Sequence, residues 1–169
     1  DEMKHRCIDV QQDSIAARLL VSDNKASLYL HRGVLYAEKR VVEKAIESFK
    51  ETLNVEPDNA YAYYNIGLVL ESQDRTKEAI ENYSNALNLN PHYADALNNL
   101  AWILATTRSS DLRDGERAIQ LAEDACEMNG NKDPFMLDTL AAAYAEAGQF
   151  EKALQTAQKA KSLAETIGY

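Results

Sequence analysis

The sequence predicts an all-α solenoid of stacked antiparallel helix pairs, about four of them, behind a lone N-terminal helix. Three observations carry this. Residues 26–59 and 60–93 align without a gap at an offset of 34, and nine pairs are identical: Ala26/Ala60, Tyr29/Tyr63, Gly33/Gly67, Ala45/Ala79, Ile46/Ile80, Glu47/Glu81, Leu53/Leu87, Asn54/Asn88 and Pro57/Pro91. A fixed period of this length marks a repeat architecture, in which each unit is too small to bury its own apolar face and leans on its neighbours. Within each copy, apolar residues return at three- and four-residue steps on either side of a polar break, which is the helical period. Strand-like alternation is nowhere sustained, and six glycines and three prolines in 169 residues exclude collagen-like and Pro/Gly-rich disordered chains.

The units follow in order. In residues 1–25, Ile8, Ile15 and Leu19 share a helical face with Ala16 and Leu20, and Ser22-Asp23-Asn24 ends the run. This segment reads as a capping helix over 7–21, or as the second half of a truncated repeat. Its charged start is followed by no apolar stretch, so it does not read as a signal peptide. The first repeat is 26–59 and the second 60–93. In the second, Tyr63, Ile66, Gly67 and Leu70 make one stripe, Gln73-Asp74-Arg75 the break, and Ile80, Tyr83 and Leu87 the next stripe. Pro57 and Pro91 each close a second helix, because proline cannot continue one and forces an extended residue before it.

The third repeat, 94–133, keeps Leu97 and Ala101 in frame, but its second-helix alanine, Ala118, arrives five residues late. A polar inter-helix turn at 107–113 absorbs the insertion. The fourth, 134–169, keeps Ala141, Tyr144, Gly148, Phe150, Ala153 and Ala160 at the same internal spacing. Glu151, Lys152, Gln155, Gln158, Lys159 and Lys161 are expected to give this last unit the polar outer face that an end of a stack needs. Gly33, Gly67 and Ala101 stand where a bulky side chain would hold paired helices apart, and Ala45, Ala79, Ala118 and Ala153 do the same on the partner helix. Two departures stand out: Gly130 replaces the closing proline of the third copy, and Arg32 stands where Ile66 and Leu100 are apolar.

From about 26 to 167 the pattern resembles the tetratricopeptide repeat (TPR), a helix–turn–helix unit with small residues in both helices and a closing proline. Leu100–Thr106, Leu112-Arg113-Asp114-Gly115 and Leu137–Ala141 resemble bacterial members with a long turn in one repeat. The resemblance implies a right-handed superhelix whose first helices line a concave groove. Transferred position by position, the lining rows are Val34, Leu68 and Trp102; Leu30, Tyr64 and Asn98; His31, Asn65 and Asn99; and an outer row of Ser27, Tyr61, Asp95 and Phe135. Such a groove interleaves aromatic and aliphatic contacts with amides, as an extended peptide requires: pockets for side chains and donor–acceptor pairs for backbone. Trp102 has a second reading, packing between the third and fourth units. The asparagine row resembles the ladder in repeats attached to the O-linked N-acetylglucosamine transferase, with His31 and Thr139 breaking it here.

Composition narrows the function. With 18 basic and 27 acidic residues the net charge is −9, which argues against nucleic acid, whose phosphates require Lys and Arg. No run approaches the ~20 apolar residues that cross a bilayer, so no direct membrane insertion is expected. The histidines His5, His31 and His92 lie far apart and form no ligand motif, and no P-loop, GxGxxG or GxSxG occurs. Asp111, Asp114 and Glu116 read as a solvated turn and helix start. Cys7 and Cys126 make no disulfide framework, and Cys126 reads as a small core residue. The Asn82-Tyr83-Ser84 sequon falls mid-helix. No catalytic residue, metal ligand or cofactor is assigned.

The expected function is a non-enzymatic scaffold binding a peptide or helical segment of a partner protein. The alternatives are an accessory module of a larger enzyme or membrane-associated assembly, or a self-associating homo-oligomer. Groove positions lacking Lys and Arg disfavour carboxylate-terminated ligands and favour an apolar or mildly basic segment. A cytoplasmic location is expected, or a periplasmic or membrane-tethered one if the sequence is a piece of a longer chain.

Overall fold

The computed structural model describes residues 24–168, and the helix expected over 7–21 lies outside them. Among the described residues there are eight α-helices and no strand: α1 (Lys25–Glu38), α2 (Val42–Val55), α3 (Ala60–Glu71), α4 (Thr76–Leu89), α5 (Ala94–Thr106), α6 (Gly115–Met128), α7 (Pro134–Glu146) and α8 (Phe150–Ile167). They form stacked pairs, α1 on α2, α3 on α4, α5 on α6 and α7 on α8, each pair resting on the next.

Local chemistry sets the boundaries. Asn24, Asn59 and Asp133 cap α1, α3 and α7 by accepting backbone N–H groups from Ser27, Ala62 and Phe135, which satisfies donors a helix start leaves bare. Arg40 and Asp74 turn the chain between paired helices with φ of 59° and 55°, a left-handed conformation that Asp tolerates and Arg adopts at a cost. Gly130, at φ 67°, ends α6 in the same way without strain. That is why no closing proline is needed there. In the long turn, Ser110–Leu112 forms a 3₁₀ segment. Asp114 then donates its N–H to the Leu104 carbonyl at 3.0 Å and caps α6 by accepting from the Arg117 N–H. Arg113 pairs with Glu146 at 3.1 Å, tying the turn to the end of α7.

The core is a continuous band between the two helix layers, from Ala45 and Phe49 through Leu100 and Leu104 to Leu137 and Ala160. Its closest approaches are made at small residues. A Cβ built on Gly33 would lie 2.5 Å from Phe49 Cε1, and one on Gly67 2.6 Å from Tyr83 Cε1. Both rings are fully buried and have nowhere to move. In the third pair the same two positions carry Ala101 and Ala122, both wholly buried, so a larger first-helix residue meets a smaller partner. Gly115 answers a different neighbour: its Cβ would lie 2.7 Å from the Ala147 backbone nitrogen.

Arg32 is accommodated by polar partners. Its Nε donates to Ser48 Oγ at 3.0 Å, its guanidinium pairs with Glu51, and it lies 5.1 Å from the Tyr29 ring centroid. Ser48 is buried and in turn donates to the Lys44 carbonyl at 2.8 Å. Cys126 is buried, and burial pushes its thiol up to about 11. The sequon is mid-helix, with Tyr83 fully buried. The expected polar end face is only partly realised, since Phe150 and Leu154 of α8 stay largely exposed.

The Gly33–Phe49 approach is directly testable. Gly33→Ala should lose about 1–2 kcal/mol in urea unfolding, although Ala is the better helix former. Phe49→Ala alone should lose ~3–5 kcal/mol, and the double variant less than the two losses added, because the new methyl enters the space the ring vacates. Strict additivity would show that the two positions do not meet.

Candidate functional site

The first helices α1, α3, α5 and α7 present one side of the stack, and the residues expected to line a groove are distributed over it unevenly. Leu30, Val34, Tyr64, Leu68, Asn98 and Asn99 are half-buried, while His31, Tyr61, Trp102 and Phe135 are exposed. Asn65 is buried at 8% exposure, and its amide donates to the Tyr61 carbonyl of its own helix at 2.7 Å. Its side chain is turned back onto α3 itself.

The feature that gathers these residues is Tyr64. Its ring centroid lies 4.8 Å from that of Tyr93, 5.8 Å from Tyr83 and 6.3 Å from Tyr61, all tilted pairs. Its hydroxyl accepts from Asn99 Nδ2 at 3.4 Å. Tyr64 belongs to α3, whereas Tyr93 and Asn99 belong to the start and body of α5. The rings therefore form a wedge between the two helices. The α5 and α7 backbones lie against each other, and those of α3 and α5 stay further apart. α1 and α3 are likewise set apart, so the close approach of first helices is confined to α5 and α7. The neighbouring Asn98 Nδ2 donates to Asn99 Oδ1 at 3.5 Å, and Asn98 Oδ1 is buried without a hydrogen-bond partner. A lone buried acceptor of this kind is rare in folded proteins.

Beyond the wedge, Trp102 keeps 44% of its surface exposed and borders a cavity of about 520 Å³ lined also by Glu71, Asp74, Thr76, Ile103 and the 106–109 segment. Glu71 is fixed there by the Tyr83 hydroxyl, which donates to its Oε2 at 2.7 Å. Arg108 is the basic side chain among the lining residues. On the same rows of first-helix positions, Asp95 and Asp138 are exposed carboxylates. The chemistry offered is aromatic surface, side-chain amides and negative charge.

Sequence reasoning did not single out Tyr93, Glu71 or Asp74. Tyr93 had a signal: at the 34-residue offset it occupies the place of Asn59, which caps α3, and α5 accordingly has no side-chain cap. Glu71 and Asp74 are placed by the fold alone. No group of His, Cys, Asp or Glu among the described residues is positioned to hold a metal, and no described helix is long and apolar enough to cross a membrane.

Burial raises the phenols of the wedge. Tyr64 is pushed up to about 12 by desolvation, with the Asp95 carboxylate adding to it and the Asn99 hydrogen bond pulling back. Tyr83 and Tyr93 are raised too, both chiefly by burial; Glu71 adds at Tyr83, Tyr64 at Tyr93.

The comparisons with known proteins agree with this architecture. Residues 60–93 match the family described as Tetratricopeptide repeat, and residues 42–74 the one described as TPR repeat. No curated protein matches the chain in sequence. Among solved structures, a crystal structure of MamA is similar over 98% of this chain and 94% of its own, at 23% identity and a TM-score of 0.78. MamA 41-end from Desulfovibrio magneticus RS-1 is similar over 83% of this chain and 76% of its own, at 22% identity and a TM-score of 0.73. BtubC (BKLC) from P. vanneervenii is similar over 99% of this chain and 78% of its own, at 20% identity and a TM-score of 0.79. At these identities the likeness is one of fold.

The raised phenol of Tyr64 sets a pH dependence. An unfolded tyrosine ionises near 10 and the folded Tyr64 near 12, so its contribution to stability is complete below the first value and is lost as pH rises through the second. Urea unfolding between pH 9 and 12 should show stability declining, and Tyr64→Phe should make that decline shallower. An identical slope in the variant would mean that Tyr64 is solvated.

Proposed function

We propose that this tetratricopeptide-repeat chain is a non-enzymatic scaffold whose first-helix side grips an extended segment of a partner protein carrying apolar and basic side chains. The observation that carries the reading is the conjunction of a half-buried aromatic wedge, edged by the exposed Tyr61, with an exposed tryptophan beside carboxylates. Tyr61, Trp102 and Phe135 are exposed at 47%, 44% and 62% on three successive first helices. Exposed aromatics of this size are expensive to leave in water and are common anchors in protein interfaces.

Charge chooses among ligands. Glu71 and Asp74 beside Trp102, with Asp95 and Asp138 along the same side, outnumber Arg108. A Lys or Arg side chain over the Trp102 ring would combine a cation–π contact with a carboxylate partner. An acidic segment or a phosphate backbone would meet like charge instead. Rotation of the Asn98 side chain turns its unpartnered oxygen toward a peptide N–H, and Asn99 offers a second amide.

Trp102 is the single tryptophan of the sequence, so binding at this place can be read from its fluorescence. Synthetic peptides alternating Lys or Arg with apolar residues should shift its emission, with affinity falling as salt rises. Against a dye-labelled peptide, Trp102→Ala should weaken binding by roughly 30-fold, about 2 kcal/mol. Acidic peptides binding as tightly as basic ones, or full affinity in Trp102→Ala, would overturn the proposal.

A further inference from the structure

The last helix leaves an apolar stripe open. In the first three pairs the corresponding second-helix positions carry Ile46, Ile80 and Ile119; the first two are half-buried against the core and Ile119 is 7% exposed. The equivalent residue of α8 is Leu154, and it is 60% exposed. One turn earlier Phe150 is 71% exposed. α8 is also longer than the other second helices, 18 residues against 14 in α2, α4 and α6, and its extra turn carries Ile167 at 51% exposure. Large apolar side chains exposed together on one helix mark an interaction surface.

The order of residues along that stripe says what fits it. Phe150, Leu154, Ala157, Lys161 and Ala164 follow at steps of four, three, four and three, the spacing of a two-helix seam. Laid against a copy of itself in the opposite direction, Leu154 falls opposite Ala157 and Ala157 opposite Leu154, so a large residue meets a small one twice. Phe150 then lies across from the aliphatic stem and ammonium of Lys161. Glu151, on the flank, comes beside Lys161 of the opposing helix. A parallel arrangement would instead set Glu151 against Glu151 and Lys161 against Lys161. The internal partner of Lys161, Glu165, is 3.9 Å away, and both side chains are mostly exposed, a contact weak enough to be exchanged.

We infer that α8 is a self-recognition surface, at which two copies of this chain join end to end through an antiparallel α8–α8 pair with two-fold symmetry. A two-fold contact uses one patch twice and closes after two subunits. Dimerisation leaves the first-helix side of both copies untouched, which makes the assembly bivalent toward a partner. The inference stands apart from the peptide-binding proposal, because none of the residues involved lies on that side.

Sedimentation equilibrium from about 1 to 100 µM tests it, since a single helix pair belongs to the small, micromolar class of interfaces. The wild-type chain should move from monomer to dimer mass across that range, with no higher species. Leu154→Glu should remain monomeric throughout, with circular dichroism confirming unchanged helicity. Glu151→Lys should weaken association by roughly tenfold, and Glu151→Lys with Lys161→Glu should recover most of it. A monomer at every concentration would overturn the inference and assign the stripe to another occupant. A dimer indifferent to Leu154→Glu would overturn it by locating the contact elsewhere, and open-ended polymers would rule out the closed pair.

Discussion

The close approach of two helices within each pair is the condition on which the rest of the structure depends. At Gly33 and Gly67 the missing Cβ is the space into which the Phe49 and Tyr83 rings are pressed. Because those rings fill the space against the first helix, the second helix packs closely on that face of its partner. One contact also reaches from this packing to the first-helix side. Tyr83 fills the gap at Gly67, its hydroxyl holds Glu71, and Glu71 borders the Trp102 cavity. The carboxylate is positioned by a core residue and does not depend on a flexible loop.

Where a copy departs from the common pattern, a local compensation is visible. Arg32 would be a buried charge in an apolar position, but Ser48 and Glu51 supply an acceptor and a counter-charge. These partners come from the paired helix, so the ion pair reinforces the same contact that Gly33 and Phe49 make. The late arrival of Ala118 is matched by a turn with its own helical segment, its own cap at Asp114 and an ion pair to α7. Gly115 follows because the Ala147 backbone is in van der Waals range of its Cα hydrogens. An insertion tolerated in this way preserves the pairing frame, since only the connection lengthens.

The stacked-pair fold was legible because it rests on residue size at a fixed period, and size is printed in the sequence. Gly33, Gly67, Ala45 and Ala79 announce close packing before any coordinate is known, and their alignment at one offset leaves little freedom of interpretation. The candidate site was legible only in outline. A period assigns residues to a helix face, but whether a residue on that face is open depends on how far its neighbours stand off. Asn65 shows the difference: it shares a row with His31 and Asn99, yet its amide is turned back onto the Tyr61 carbonyl and buried. Leu154 departs in the opposite direction, since it belongs to the row of Ile46, Ile80 and Ile119 yet stays 60% exposed. Glu71 and Asp74 could not be read in advance, because their relation to Trp102 crosses from one repeat to the next.

Tyr93 is the residue that local rules would not have chosen, and that makes it informative about what the wedge does. Three of the four first helices begin at a side-chain cap, and α5 forgoes one, at a typical cost of about 1 kcal/mol. What stands in its place is a ring 4.8 Å from Tyr64, packed between α3 and α5. A helix start chosen for local stability alone would carry Asn or Asp there, as α1, α3 and α7 do. The paired aromatics gather with two asparagines and an exposed tryptophan on one stretch of the first-helix side. On the proposed reading, that stretch is where a partner's side chains would be told apart, because aromatic faces, amides and carboxylates meet there.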